Sequence, residues 1–168
     1  AWTDGPPEQA ARNTLQYQWS MWGRWSPNDW SLHFVVLAEG AVIGTQAIDA
    51  QQFATLREVG TGSWLGRTYH GQGYGTEMRA AVLHLAFDKL GAEFATSEAF
   101  ADNAASYGVS RKLGYVENGV ERHVVRGETV LARKLRLDRA GWATARSVPV
   151  KVLGLDPCLA MFGLDETT

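Results

Sequence analysis

The stretch His70-Gly71-Gln72-Gly73-Tyr74-Gly75-Thr76 decides how this chain is read, because a strand-like run ending at Arg67 precedes it and a strongly apolar helical run begins near Thr76. With no Cβ at Gly71, Gly73 or Gly75 the backbone can turn tightly, and successive N–H groups can converge on one anion at a helix N-terminus. The segment is not a Walker loop, which closes on Gly-Lys-Ser/Thr, and its glycines lack the third-position spacing of a dinucleotide fold. Its plainer reading is a flexible strand-to-helix connection.

Outward from the loop the elements alternate. Residues 58–67 read as a glycine-rich strand, in which Gly60, Gly62 and Gly66 leave room for a ligand or a second backbone. Residues 76–90 read as a helix closed by Gly91, with Glu77, His84 and Asp88 on one polar stripe and the other faces buried. A central strand at 93–99 follows. Asp102-Asn103-Ala104-Ala105-Ser106-Tyr107-Gly108-Val109-Ser110-Arg111-Lys112-Leu113-Gly114-Tyr115 then reads as a capped short helix that ends at a glycine and passes into a strand. Upstream, Pro6-Pro7 opens a helix to about Trp25, and strands at 32–38 and 41–49 pair across Glu39-Gly40. Residues 51–56 are looser, and downstream the runs 120–126 and 129–137 pair across Gly127-Glu128. Such an order predicts a mixed α/β (α+β) fold with one twisted sheet.

At 168 residues the chain is long enough for one domain with a sizeable core. A net charge of −2 gives no basic excess for a nucleic-acid groove. No apolar run of about 18 residues and no basic-then-apolar leader is present, so no membrane partner is expected. Cys158 is the sole cysteine, which excludes a disulfide framework and a cysteine-based zinc site within one chain and fits a reducing cytoplasm.

The glycine loop together with Asn103-x-x-Ser106 and Lys112-x-Gly114-Tyr115 resembles the GNAT acyltransferase superfamily, most closely its ribosomal-protein N-terminal alanine acetyltransferase (Rim-like) branch. The resemblance covers roughly residues 31–142. It implies a mostly antiparallel sheet splayed at its centre and flanked by helices, acetyl-CoA as acyl donor, no metal, and a primary amine as acceptor, such as a protein N-terminus or a small-molecule amine. One departure is His70, where the family usually carries Gln or Arg.

The same resemblance implies a residue set. Ser63, Leu65 and Arg67 neighbour the pantetheine arm, which pairs with the strand as an added strand would. The amides of His70, Gly71, Gln72, Gly73, Tyr74, Gly75 and Thr76 meet the pyrophosphate, and Asn103 and Ser106 hold the arm from the far side. Acyl transfer to an amine needs a base, an oxyanion stabiliser and a proton for the thiolate. Glu58 is the preferred base and Glu98 the alternative. A backbone N–H near Leu65 serves the oxyanion. Many relatives use a tyrosine as proton donor at the position that Ser110 occupies, so Ser110 is the candidate here and Tyr107 the reserve. A non-catalytic acyl-CoA-binding protein of the same fold is the alternative reading, and a nucleotide- or phosphate-binding module a more distant one.

His84 is expected to pair with Asp88, His33 to reach the substrate cleft or simply begin a strand, and His123 to face solvent or a neighbouring strand. No histidine pair has metal-ligand spacing. Tyr17, Trp19, Met21, Trp22, Trp25 and Trp30 read as helix packing or as an aromatic wall of the acceptor pocket. Relatives usually begin with one more strand and helix than this chain, which starts at Ala1. A sheet edge left open there would be covered by a homodimer partner or by the C-terminal tail. The acyltransferase body is expected over residues 1–142, with 143–168 a tail whose apolar segment 148–153 packs on the body or on a second subunit.

Overall fold

The computed structural model describes residues 5–164, so the chain start at Ala1 lies outside the described residues. Helix α1 (Pro7–Gly23) leads into strands β1 (Asp29–Ala38) and β2 (Ala41–Gln51). Their turn is Glu39-Gly40, both at positive φ (50° and 81°), the geometry that matches a two-residue turn to the twist of its strands. A one-turn helix α2 (Phe53–Leu56) occupies the stretch expected to be loose, and β3 (Glu58–Leu65) follows. Helix α3 (Tyr74–His84) continues through a π-helical turn at Leu85–Lys89, with the N–H of Leu90 reaching the carbonyl of Leu85 at 2.9 Å. Gly91 at φ 76° then breaks the helix.

Strand β4 (Phe94–Phe100), helix α4 (Ala104–Lys112), strands β5 (Val116–Val125) and β6 (Glu128–Asp138) and helix α5 (Arg139–Ala145) complete the order. The sheet runs β1-β2-β3-β4-β6-β5. Every pairing is antiparallel except β3 with β4. This is the mixed, mostly antiparallel sheet flanked by helices that the sequence predicts. The hairpin turn between β5 and β6 is Arg126-Gly127, one residue earlier than expected, with φ 53° and 83°. Strand β5 also starts earlier than residue 120, at Val116, and its pairing shifts register at a bulge between Glu117 and Val120.

The parallel pairing is short. It runs from Glu58↔Phe94 to Thr61↔Ser97, after which β3 stays on β2 and β4 stays on β6. The sheet therefore opens at its centre. Behind it the core packs Ile48, Val59, Leu83, Phe87, Leu90, Tyr115, Leu135 and Leu137. Trp142 of α5 stacks on Phe87 at 6.0 Å, and the N-terminal turn of α5 is capped by Asp138, whose side chain accepts from the N–H of Gly141.

The expected aromatic group divides. Trp30 is buried and Trp25 stacks on it at 6.0 Å, whereas Trp19 and Trp22 are exposed and α1 buries no residue at all. The C-terminal segment closes over the first pair: Phe162 meets Trp30 edge-on at 4.9 Å and Trp25 at 5.5 Å, and the Trp25 indole donates to the carbonyl of Met161. Val148, Val152, Leu155 and Leu159 pack against the same core. Because Phe162 fills a site bounded by large rings, Phe162→Ala is expected to cost about 3–5 kcal/mol, read as a lowered urea midpoint at constant m.

Candidate active site

The loop between β3 and α3 is built mostly by its own side chains. Arg67–Tyr69 form a 3₁₀ turn, His70 donates a ring N–H to the carbonyl of Leu65 (2.9 Å), and the Gln72 amide donates to the carbonyl of Thr68 (2.8 Å). Gly71 and Gly73 sit at φ 74° and 92° with open space where a Cβ would stand. Gly73 caps α3 without a side chain; the N–H of Thr76 reaches the carbonyl of Gly73 at 3.0 Å, and the amides of Tyr74 and Gly75 are left to an outside acceptor.

A cleft of about 690 Å³ runs from this loop to α4. Ser63, Leu65, Arg67, His70, Gly71, Gly73, Gly75, Thr76, Asn103 and Ser106 all line it. Gln72 and Tyr74 do not: the first is spent on Thr68, and the second rests edge-on against Tyr69 at 6.1 Å. Asn103 caps α4 by accepting from the N–H of Ser106 at 3.0 Å. Sequence reasoning missed Met78, Arg79, Val109 and Lys112, which also face the cleft. The positive-φ glycines and the uncapped helix start suit the pyrophosphate of a coenzyme, which needs backbone donors and no side chain in its path.

Arg79 is the least expected of these. It is 3% exposed, and its guanidinium donates to Ser97 Oγ and Ser110 Oγ at 3.0 Å each and to Ser63 Oγ at 2.9 Å. Its Nε has no partner among the described residues. Burial pushes its pKa down, opposed only by the nearby Tyr115 phenol, whose own pKa burial raises.

A second cleft, of about 810 Å³, lies on the opposite face between α1 and strands β1 to β3. Tyr17, Gln18, Ser31, His33, Thr45 and Asp49 line it, and it shares Ser63 and Trp64 with the first. Gly62 leaves open space on the cleft floor, and a Cβ at Gly60 would strike the Asp49 carboxylate at 2.7 Å. Gln18 donates to His33 Nδ1 (3.3 Å), which leaves the ring proton on Nε2 to be donated to Ser31 Oγ (2.9 Å). Desolvation lowers the His33 pKa and the Asp49 charge raises it. Asp49 is held above the usual carboxylate range by desolvation, against the opposing pull of His33.

The expected catalytic residues lie elsewhere. Glu58 is at the far end of β3, paired with Arg136 at 3.3 Å, and it lines neither cleft. Glu98 is taken by His123 at 2.6 Å, within a group that also includes Glu121, itself bound to Lys134 at 2.8 Å. Ser110 is fully buried, receives Arg79 and donates to the carbonyl of Ser106 at 3.2 Å, so its proton is not available to a bound molecule. Tyr107 donates to Glu117 at 2.7 Å under the Arg133 guanidinium. Ser110 lies on the same stripe of α4 as Asn103 and Ser106 but one turn further along, where it is buried against the Arg79 guanidinium.

Residues 2–116 match the model of the acetyltransferase (GNAT) domain, and the chain belongs to that family of acetyltransferases. Solved structures share the fold. Mycobacterium smegmatis RimJ in complex with CoA-disulfide superposes with a TM-score of 0.61 at 18% identity, covering 80% of this chain and 61% of that one. A point mutant of the Vibrio cholerae spermidine N-acetyltransferase SpeG gives 0.66 at 15% identity, covering 84% and 82%. A Vibrio cholerae protein provisionally assigned as a ribosomal-protein-serine acetyltransferase gives 0.66 at 21% identity, covering 82% and 78%.

With Ser110 in a clamp, Ser110→Ala leaves one guanidinium N–H unpaired and is expected to destabilise the fold by about 1–3 kcal/mol in urea unfolding. Unchanged stability would remove the clamp.

Proposed function

We propose that the chain is an N-acetyltransferase that moves the acetyl group of acetyl-CoA to a primary amine, such as a protein N-terminus or a small-molecule amine. The observation that carries this reading is the meeting of the two clefts at Ser63 and Trp64, beside the point where β3 and β4 part. One cleft has the anion-ready loop and the other has an imidazole and a carboxylate, His33 and Asp49, at its floor. A donor and an acceptor entering from opposite faces would touch only there.

In this reading the backbone of Gly71, Gly73, Gly75 and Thr76 holds the pyrophosphate, Asn103 and Ser106 flank the arm, and Ser63, Leu65 and Arg67 line its path. Acetyl-CoA supplies an activated acyl carbon, and the chain supplies position and proton handling. Asp49 draws in the cationic amine. His33, whose lowered pKa keeps the ring neutral near pH 7, takes its proton. Glu58 and Ser110 have no part in this scheme, because their hydrogen-bonding partners hold them away from the seam.

Calorimetric titration with acetyl-CoA is expected to give binding that Gly73→Glu abolishes, since the substitution adds negative charge and a side chain at φ 92°. Retention of binding by that variant would displace the loop from the reading. Against a panel of peptide N-termini and polyamines, His33→Gln is expected to lower kcat/KM roughly a hundredfold or more, with acetyl-CoA affinity unchanged. The acid limb of the pH profile lies below the ordinary histidine value. Because the Asp49 charge raises the His33 pKa, Asp49→Asn moves that limb to still lower pH. Tight acetyl-CoA binding with no turnover on any amine would favour a non-catalytic acyl-CoA-binding protein.

A further inference from the structure

Arg79 is a charge in the wrong place for stability. A buried guanidinium without an anionic partner is costly, and an apolar side chain of similar volume at such a position is often neutral or stabilising. Here the guanidinium is met by three serine hydroxyls and, among the described residues, no carboxylate. It bridges Ser63 of β3 to Ser97 of β4, the last β4 residue of the parallel pairing, so it spans the opening of the sheet.

The serines are not equivalent. Ser97 donates its own proton to the carbonyl of Thr61 (3.4 Å), and Ser110 donates to that of Ser106 (3.2 Å). Ser63 accepts from Arg79 and has no acceptor of its own among the described residues. It is also exposed, and it lines both clefts. The positive charge is therefore relayed to one free O–H, at the one place where donor and acceptor would meet.

We propose that Arg79 and Ser63 form an anion-stabilising relay directed at the sulfur that the acyl group leaves, with Ser63 as the hydrogen-bond donor and Arg79 as the positioning residue behind it. The inference rests on the acetyl-CoA reading above. In the balanced reaction the amine has already lost its ammonium proton to His33, which returns it to water; the C–N bond then forms, the C–S bond breaks with its electron pair going to sulfur, and the proton shed by the new amide nitrogen passes in turn to His33. The sulfur then carries the negative charge that the relay faces. Arg67, His70 and Lys112 line the same cleft further along, Tyr115 lies behind Arg79, and His33 and Asp49 face the other cleft.

The test compares CoA with acetyl-CoA, which share every phosphate and differ in one ionisable thiol. Affinities of the full chain for both are measured by calorimetry from pH 6.5 to 9, with reductant present. A site that favours the thiolate makes CoA gain on acetyl-CoA as pH rises, by about tenfold or more for a hydrogen bond to a charged atom. Ser63→Ala and Arg79→Met are expected to flatten that ratio, and Arg79→Lys to retain part of it. A merely structural Arg79 would alter stability and both affinities together and leave the ratio untouched. If Arg79→Met fails to fold, the exposed Ser63→Ala decides alone. A flat ratio in the parent chain, or a rising one that Ser63→Ala does not change, overturns the relay and leaves the cofactor reading standing. Failure of both ligands to bind at any pH overturns the two together.

Discussion

The short parallel pairing between β3 and β4 is the constraint on which the rest of the molecule depends. Each strand is secured on its outer side by an antiparallel neighbour, so both can continue after Thr61 and Ser97 without each other. Backbone groups facing the gap are then free to meet an outside strand or ligand. Across the gap the guanidinium of Arg79 ties Ser63 to Ser97 and both to Ser110 of α4. Three neutral hydroxyls satisfy donors without cancelling the charge. Desolvating an ion costs several kcal/mol, and among the described residues no ion pair offsets it, which is the physical signature of a group kept for its field.

The alternation of side chains along β3 turns one opening into two clefts. Ser63 points toward α3 and the guanidinium, while Gly60 and Gly62 face the other way, where Asp49 and His33 lie across β2 and β1. The glycines set the depth of that second cleft, because the space above Gly62 is empty and a Cβ at Gly60 would displace the Asp49 carboxylate. Its outer wall is α1, which contributes Tyr17 edge-on to His33 at 5.7 Å yet buries no residue. The second cleft is thus floored by the sheet and walled by a helix that buries no residue, an arrangement suited to admitting molecules of differing shape.

Much of this was legible in the sequence where local chemistry dictates local geometry. Glu39-Gly40, the glycine loop, Gly91 and the Asn103 cap each force a turn or a helix end whatever surrounds them. Arg79 was not legible. Its neighbours Met78 and Ala80 belong to a helix buried on most faces, and an arginine in such a run reads as surface. Only the coincidence of serines from β3, β4 and α4 makes its burial tolerable, and that coincidence is tertiary. Glu58 and Ser110 lie away from the clefts for separate reasons: an ion pair across the sheet with Arg136 occupies the first, and the second sits one turn beyond Ser106 on α4, buried against the Arg79 guanidinium. Asp49, at the end of a strand, carried no signal until Gly60 and His33 were brought beside it.

The loop shows why one departure from the family pattern costs so little. If side chains bound the anion, His70 in place of Gln or Arg would weaken the site. Instead His70 closes the loop onto the Leu65 carbonyl and Gln72 closes it onto Thr68, so both side chains fold the loop and leave the backbone at Gly71 and Gly73 open to an anion. A residue with a ring N–H at position 70 meets that need as well as an amide or guanidinium does. The glycines have no such latitude, because positive φ and an empty Cβ position are required together. Tolerance at one position and intolerance two or three residues away follow from the same geometry.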